Sequence, residues 1–319
     1  MINWGMIGAG DVTEIKSGPA FNKIQNSKLC AVMRRNAEKA ADYAQRHGVD
    51  DWYNEAEPIL KRNDINSIYI ATPPSSHRDY AIAALQAGKN VYLEKPMAMN
   101  ALECFEIVNA AKETGSRLCI AHYRRELPCF KKVKELIGAG EIGDIQLAKI
   151  EILQPSESEI IAQTEENWRL NPAVSGGGLF HDIAPHQIDL MIHYFGNPTD
   201  FFGFSKGESG VHDLVTGQIE FSNGILFQGA WNFKAPKAET KDTCTILGSE
   251  GSIEFSFYKE EVKLSNEHKS EVYTFENPAN IQLPMIEKVV RYFSGEGKNP
   301  CPGVDGLKVL EIMDKFTGY

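Results

Sequence analysis

The chain's six cysteines never come close together. Cys30, Cys104, Cys119, Cys129, Cys244 and Cys301 are scattered, and no C-x-x-C pair occurs. A zinc framework needs close ligand pairs, so this spacing excludes one and reads as reduced thiols in a cytoplasmic protein. No apolar run reaches membrane-spanning length. The start, Met1-Ile2-Asn3-Trp4-Gly5, places no basic segment before an apolar one, so no signal peptide is expected. Positive charge is in deficit: 33 Lys and Arg against 43 Asp and Glu give a net charge of -10. That balance opposes binding to nucleic acid or to an anionic membrane. Internal repeats and low-complexity linkers are also missing. What is present is ordinary for a soluble protein, 42% hydrophobic and 24% charged. A length of 319 residues exceeds the usual single domain, so two are expected.

The first 121 residues alternate between short apolar runs and helical patterns. The runs are Ile2 to Ile7, Leu29 to Met33, Ser67 to Ala71, Asn90 to Leu93 and Arg117 to Ala121. Helical stretches Asn36 to His47, Ser76 to Ala87 and Ala101 to Thr114 each run into a glycine, a natural helix stop. Continuous apolar strands alternating with helices predict a parallel sheet covered on both faces, doubly wound. The text then changes. Leu127 to Ile137 and Ile183 to Phe195 read as helices and Ile145 to Leu153 as a strand. From about residue 200 to 275 strands crowd together, with turns at Ser222-Asn223-Gly224 and Gly248-Ser249-Glu250-Gly251. Hairpin-joined strands predict a largely antiparallel sheet. Helices over Pro284 to Phe293 and Gly306 to Phe316 close the chain. The expected division is 1–121, the doubly wound domain, and 122–319, the domain of the antiparallel sheet.

The first strand ends in Gly8-Ala9-Gly10-Asp11-Val12-Thr13. Gly8 and Gly10 suit a tight turn beneath a pyrophosphate, and the helix opening at Asp11 and Val12 offers free N–H groups and a positive dipole end. Thr13 replaces the usual third glycine, and Pro19 predicts that the next helix is broken. The second strand ends at Arg34, Arg35 and Asn36 with no acid at its tip. An acid there would suit the ribose 2′-hydroxyl of NAD; arginine suits a 2′-phosphate, so NADP(H) is preferred and NAD(H) remains open.

Two further strands end in Ala71-Thr72-Pro73-Pro74-Ser75-Ser76-His77 and Glu94-Lys95-Pro96. Both tips lie at carboxyl ends of parallel strands, where such sheets bind ligands. Thr72, Pro73, His77, Glu94 and Lys95 are therefore expected at the cofactor. Pro96 restricts Lys95 to extended backbone and can support a cis bond. Far downstream, Ser175-Gly176-Gly177-Gly178 precedes a segment with Asp182 and His186 at i and i+4, on one helix face. Asp182 is expected to cap that helix with Pro185 in its first turn. The glycines are expected to allow close backbone approach. Asp189 and His193 extend the polar positions, but the order is not that of a zinc helix, and no metal is expected.

Together, Gly8-x-Gly10, Ala71-Thr72-Pro73, Glu94-Lys95-Pro96 and the glycine run followed by Asp182-x-x-x-His186 resemble the glucose–fructose oxidoreductase / inositol dehydrogenase (Gfo/Idh/MocA) family. Tyr123-Arg124-Arg125 and Trp168-Arg169 extend the resemblance over nearly the whole chain. It implies an N-terminal Rossmann domain, then an α/β domain with an open, mainly antiparallel sheet whose face supports a homodimer or homotetramer. It implies Lys95, Asp182 and His186 as catalytic group, with Trp168 and Arg169 near the nicotinamide or the substrate. The implied reaction moves a hydride between nicotinamide and a sugar, polyol or cyclic diol carbon. His186, whose type titrates near ~6.5, is expected to move the proton, with protonated Lys95 polarising the carbonyl. Asn167, Trp168, Arg169 and His181 are candidates for the pocket wall. A nicotinamide-dependent glycosidase and a non-catalytic cofactor-bound regulator are the alternatives.

Overall fold

Ile2–Ile7 is apolar at almost every position and buried on both sides, so it becomes β1, the strand on which the first sheet is built. The computed structural model describes residues 1–156, 158 and 168–318; the pocket-wall candidate Asn167 lies outside them. From β1 the chain runs through α1 (Asp11–Ile15), β2 (Ser27–Met33), α2 (Ala37–His47), β3 (Asp51–Tyr53) and α3 (Glu57–Leu60). It continues through β4 (Ser67–Ile70), α4 (His77–Gln86), β5 (Asn90–Leu93), α5 (Ala101–Thr114) and β6 (Leu118–Ile120). The six strands pair in parallel in the order β3-β2-β1-β4-β5-β6. The order reverses between β1 and β4, and a ligand crevice opens at the carboxyl ends on either side of such a reversal.

Local chemistry sets the helix limits. Asn36 and Asn100 accept from the amides of Lys39 and Glu103 and so cap α2 and α5. Gly48 and Gly115 end the same helices in the left-handed conformation. α1 stops at Ile15, and Pro19 lies in a separate 3-10 turn over Gly18–Ala20, which is the break its position predicted. β3 carried no readable sequence signal: it has three residues and no fully buried position.

The second run holds α6 (Pro128–Gly138), β7 (Ile145–Leu153), α7 (Pro172–Ser175), α8 (Leu179–Phe195), β8 (Pro198–Lys206), β9 (Leu214–Phe221) and β10 (Leu226–Asn232). It ends with β11 (Lys241–Gly248), β12 (Gly251–Phe255), β13 (Glu261–Asn266) and β14 (Ser270–Thr274). Eight strands form one sheet, β14-β13-β12-β11-β7-β10-β9-β8, antiparallel except for the β7–β10 pair. Both predicted hairpins are present, with Gly224 at φ +83° in the first. Alternation gives the sheet one dry face and one wet one. Along β9, Val215, Gly217, Ile219 and Phe221 are buried while Thr216, Gln218 and Glu220 are exposed. Two helices follow, α9 (Leu283–Phe293) and α10 (Gly303–Thr317).

The chain divides into two compact units, Met1–Arg124 with Pro278–Leu310, and Arg125–Asn277 with Glu311–Tyr319. The expected division at 121/122 left everything downstream in the second domain; residues 278–310 instead belong to the first unit. The reason is packing. The ring of Phe293 on α9 packs tilted against Trp4 on the central strand, with centroids 5.6 Å apart, and Arg117 donates to Tyr292 O at 2.8 Å. Asn299 Nδ2 donates to Leu118 O at 2.8 Å.

α8 also begins earlier than expected. Gly178 is its N-cap residue, so Asp182 lies inside the first turn rather than capping it, and Pro185 lies within the helix. The apolar Leu179 and Phe180, both buried, extend the helix toward the glycines.

Candidate active site

At the turn after β1, Gly8 has φ +103°, and a Cβ there would stand 2.7 Å from the backbone of Ala71 and Thr72. This glycine is required by the protein itself. Gly10 differs: it is extended, with φ -129°, and a Cβ would meet nothing closer than Gly8 O at 4.0 Å. The open space above Gly10, and the first amides of α1, which have no intrahelical acceptor, fit a phosphate group. Thr13, in place of the third glycine, fits into the turn. It is fully buried and its Oγ1 donates to Gly10 O at 2.7 Å, tightening the turn. Arg34 leans onto the same loop, its Nη1 donating to Ala9 O at 3.1 Å, whereas Arg35 is exposed. Asp11 is exposed and Val12 half-buried.

The tips of β4 and β5 are tied together by a residue expected at the cofactor. His77 is fully buried, with Nε2 2.7 Å from Thr72 O and Nδ1 2.9 Å from Pro96 O. Both ring nitrogens face backbone carbonyls; the neutral ring donates to one of them and packs between the two loops, so it braces them instead of reaching a ligand. Burial pushes its pKa down to about 4. Thr72 and Pro73 stay half-buried at the rim. The Lys95–Pro96 bond is cis, and Lys95 is half-buried. Glu94 is only 5% exposed and accepts three hydrogen bonds. They come from Tyr69 Oη at 2.7 Å, Gln282 Nε2 at 2.7 Å and the Lys95 amide at 3.2 Å. Burial, and then the Glu94 charge, hold Tyr69 and Tyr92 well above the usual phenol range, so both remain donors.

In the second unit Arg169 Nε donates to Asp182 Oδ2 at 2.9 Å, and its guanidinium lies 4.5 Å from the centre of the Trp168 ring. Trp168, Arg169 and Asp182 thus form one group, with His186 one turn further along α8 and 6% exposed. Asp189 accepts a two-pronged ion pair from Arg125 at 2.6 and 2.9 Å, both side chains almost wholly buried. His193 lies 2.9 Å from Lys134 Nζ, and burial pushes its pKa down to about 4. Among the described residues no cluster of three His, Cys, Asp or Glu side chains could hold a metal ion.

The glycine run has an internal explanation. A Cβ on Gly177 would enter the ring of His181, and one on Gly178 would meet Val211. His212 N donates to Gly177 O at 3.1 Å, and the Ser175 hydroxyl accepts from Gly178 N at 3.0 Å. The close approach is therefore made by the protein's own side chains. His181, expected on a pocket wall, is 1% exposed, and its ring nitrogens make no hydrogen bond of normal geometry among the described residues. Sequence reasoning missed Gln282, Asn280 and the pairing of Arg125 with Asp189. Nothing in the local pattern around any of them marks a buried partner.

Residues 2–122 match the model of the oxidoreductase family with NAD-binding Rossmann fold, and residues 130–254 match the GFO/IDH/MocA C-terminal domain. The chain belongs to the Gfo/Idh/MocA oxidoreductase family. Oxidoreductase P35 of Formosa agariphila is 51% identical over 99% of this chain and 98% of its own length. A 1,5-anhydro-D-fructose reductase of Ensifer adhaerens is 29% identical over 79% of this chain and 75% of that protein. A levoglucosan dehydrogenase in complex with NADH superposes with a TM-score of 0.87 at 23% identity, covering 99% of this chain and 95% of that one, which establishes the shared fold. Membership of the family makes the protein an NAD(P)-dependent oxidoreductase of CH–OH groups. No helix among the described residues is long and apolar enough to cross a membrane.

Proposed function

We propose that the protein is an NADP(H)-preferring dehydrogenase or reductase of a sugar, anhydrosugar, polyol or cyclic diol. The observation that carries this reading is at the carboxyl ends of β1, β2, β4 and β5. The open-topped Gly10 turn, the guanidinium of Arg34 and the anchored Glu94-Lys95-Pro96 loop are all set there, on one edge of one sheet. The names of relatives, a 1,5-anhydro-D-fructose reductase and dihydrodiol dehydrogenases among them, support the substrate class.

The bound nicotinamide supplies hydride transfer. The chain's own residues handle the cofactor and the proton. Gly8, Gly10, Asp11 and Val12 would hold the pyrophosphate, Arg34 the 2′-phosphate, and Thr72 and Pro73 the rim toward the nicotinamide. Lys95 would polarise the substrate carbonyl and stabilise the developing alkoxide. His186 would exchange the proton, as a general acid–base group. Asp182 would hold a substrate hydroxyl or a neighbouring donor, with Arg169 and Trp168 beside it. The open face of the second sheet exposes Phe202, Phe204 and Leu226 at 49%, 74% and 52%. A patch of this kind supports a homodimer through that face. Six free, buried thiols support a cytoplasmic setting.

A panel of sugars, anhydrosugars, inositols and diols, assayed with both cofactors as kcat/KM, tests the reading. Lys95→Met should lower kcat by about 10²-fold or more, as loss of an oxyanion donor does, while cofactor affinity holds. Full turnover in that variant would refute the assignment.

A further inference from the structure

Residues 280–282 return to the first unit and bond to two places at once. Asn280 Nδ2 donates to Ile15 O at 2.6 Å, and its Oδ1 accepts from Lys23 Nζ at 2.6 Å. The Gln282 amide donates to Lys16 O at 3.0 Å. These bonds close the C-terminal end of α1, whose last carbonyls lack intrahelical donors. α1 is five residues long and starts directly at the glycine turn, so these bonds anchor the chain one short helix away from that turn.

The side chain of Gln282 is fully buried and faces the other loop. Its Nε2 donates to Glu94 Oε1 at 2.7 Å, and its Oε1 accepts from Tyr92 Oη at 3.2 Å. Glu94 in turn receives the Lys95 amide on Oε2. The three donors that meet this buried carboxylate carry no charge. A fully donor-satisfied polar network in a core gains less stability than apolar packing of the same volume; what it provides is a single geometry.

We propose that Gln282 is a positioning residue for Lys95. By holding the Glu94 carboxylate in place it fixes the backbone of Lys95, and with Asn280 it clasps the nucleotide turn and the Lys95 loop in one fixed relation. The inference rests on the reading of Lys95 as a catalytic residue.

The test uses the full chain and four variants: Gln282→Leu, Asn280→Leu, Lys95→Met and Phe293→Leu. The last destabilises the same unit by loosening the Trp4 contact without touching the network. Three quantities are read: cofactor Kd by nicotinamide fluorescence, kcat and KM at saturating cofactor, and trace acylation of Lys95 in cofactor-free protein. Acylation is scored by mass spectrometry relative to exposed Lys61. Gln282→Leu should lower kcat about tenfold or more, with substrate KM within about twofold, because a misplaced group loses rate rather than binding. It should also change relative Lys95 acylation by about threefold or more, since the surroundings of the amine change. Asn280→Leu should raise cofactor Kd about tenfold and leave saturated kcat within about twofold. Phe293→Leu should lower Tm and do neither. Where Gln282→Leu does not fold, Tyr92→Phe removes only the hydroxyl that holds Gln282 Oε1 and should shift kcat and acylation in the same direction. Unchanged kcat and acylation in Gln282→Leu, or the same losses in Phe293→Leu at matched Tm, would overturn the proposal. If Lys95→Met is inactive while Gln282→Leu is normal, the clasp fails and the catalytic reading stands. If Lys95→Met turns over normally, the catalytic reading fails and the acylation result alone decides the clasp.

Discussion

Replacing Arg34 with alanine should move the protein's cofactor preference, and the size of the move follows from its hydrogen bonds. A guanidinium has five N–H donors. One is directed at Ala9 O at 3.1 Å, which holds the guanidinium against the loop of the glycine turn. A hydrogen bond to a charged group contributes about 1.5–3 kcal/mol. At about 1.4 kcal/mol per factor of ten, kcat/KM for NADPH should fall by about 10- to 150-fold in Arg34→Ala. The Ala9 O bond is lost for both cofactors, so NADH should lose only about threefold from a bond of ordinary strength. The NADPH/NADH ratio therefore drops by about 3- to 50-fold, the order expected for one charged contact. Arg35, exposed at the strand tip, serves as the comparison; Arg35→Ala should shift the ratio by less than about threefold, as solvated charges do. Initial rates followed by nicotinamide absorbance, at two ionic strengths, give the answer; the Arg34 effect should shrink with added salt. A ratio that Arg34→Ala leaves unchanged would remove Arg34 from the cofactor site.

The two glycines of the turn should separate structure from binding. Gly8→Ala forces a Cβ against the Ala71–Thr72 backbone and should lower Tm, whereas Gly10→Ala meets open space, keeps Tm and weakens only cofactor binding; calorimetry and fluorescence titration check both. Asp189→Asn removes the carboxylate charge from the buried Arg125 ion pair and should cost about 3–5 kcal/mol in urea unfolding; a smaller loss than ~1 kcal/mol would mean that this pair does not carry the charge balance of the site. Burial, with His212 adding to it, pushes His181 down to about 3, so below ~6.5 the unfolded chain takes up a proton that the folded one refuses. Stability should therefore fall as pH drops from ~6.5 toward ~3, and His181→Leu should flatten that limb while keeping neutral stability within ~1 kcal/mol. An unaltered acid limb would show that the ring is not held neutral.

Much of this was legible from the chain alone. Periodicity and glycine stops marked β1, β5, α2, α5 and the β7 strand, because those signals are local: a buried parallel strand must be apolar throughout, and a helix must release its last carbonyls to something. The fingerprint turn, the arginine tip and the Glu-Lys-Pro loop were visible for the same reason, since each must sit at a strand end. The tertiary structure decided the rest. Only packing assigns residues 278–310 to the first unit, brings Gln282 onto Glu94 from 188 positions away, and turns His77 from a ligand candidate into a brace. A buried polar atom must find a partner somewhere, but its own neighbours in sequence do not say where. That choice is made when the chain closes on itself, and at this protein it determines how the lysine is held.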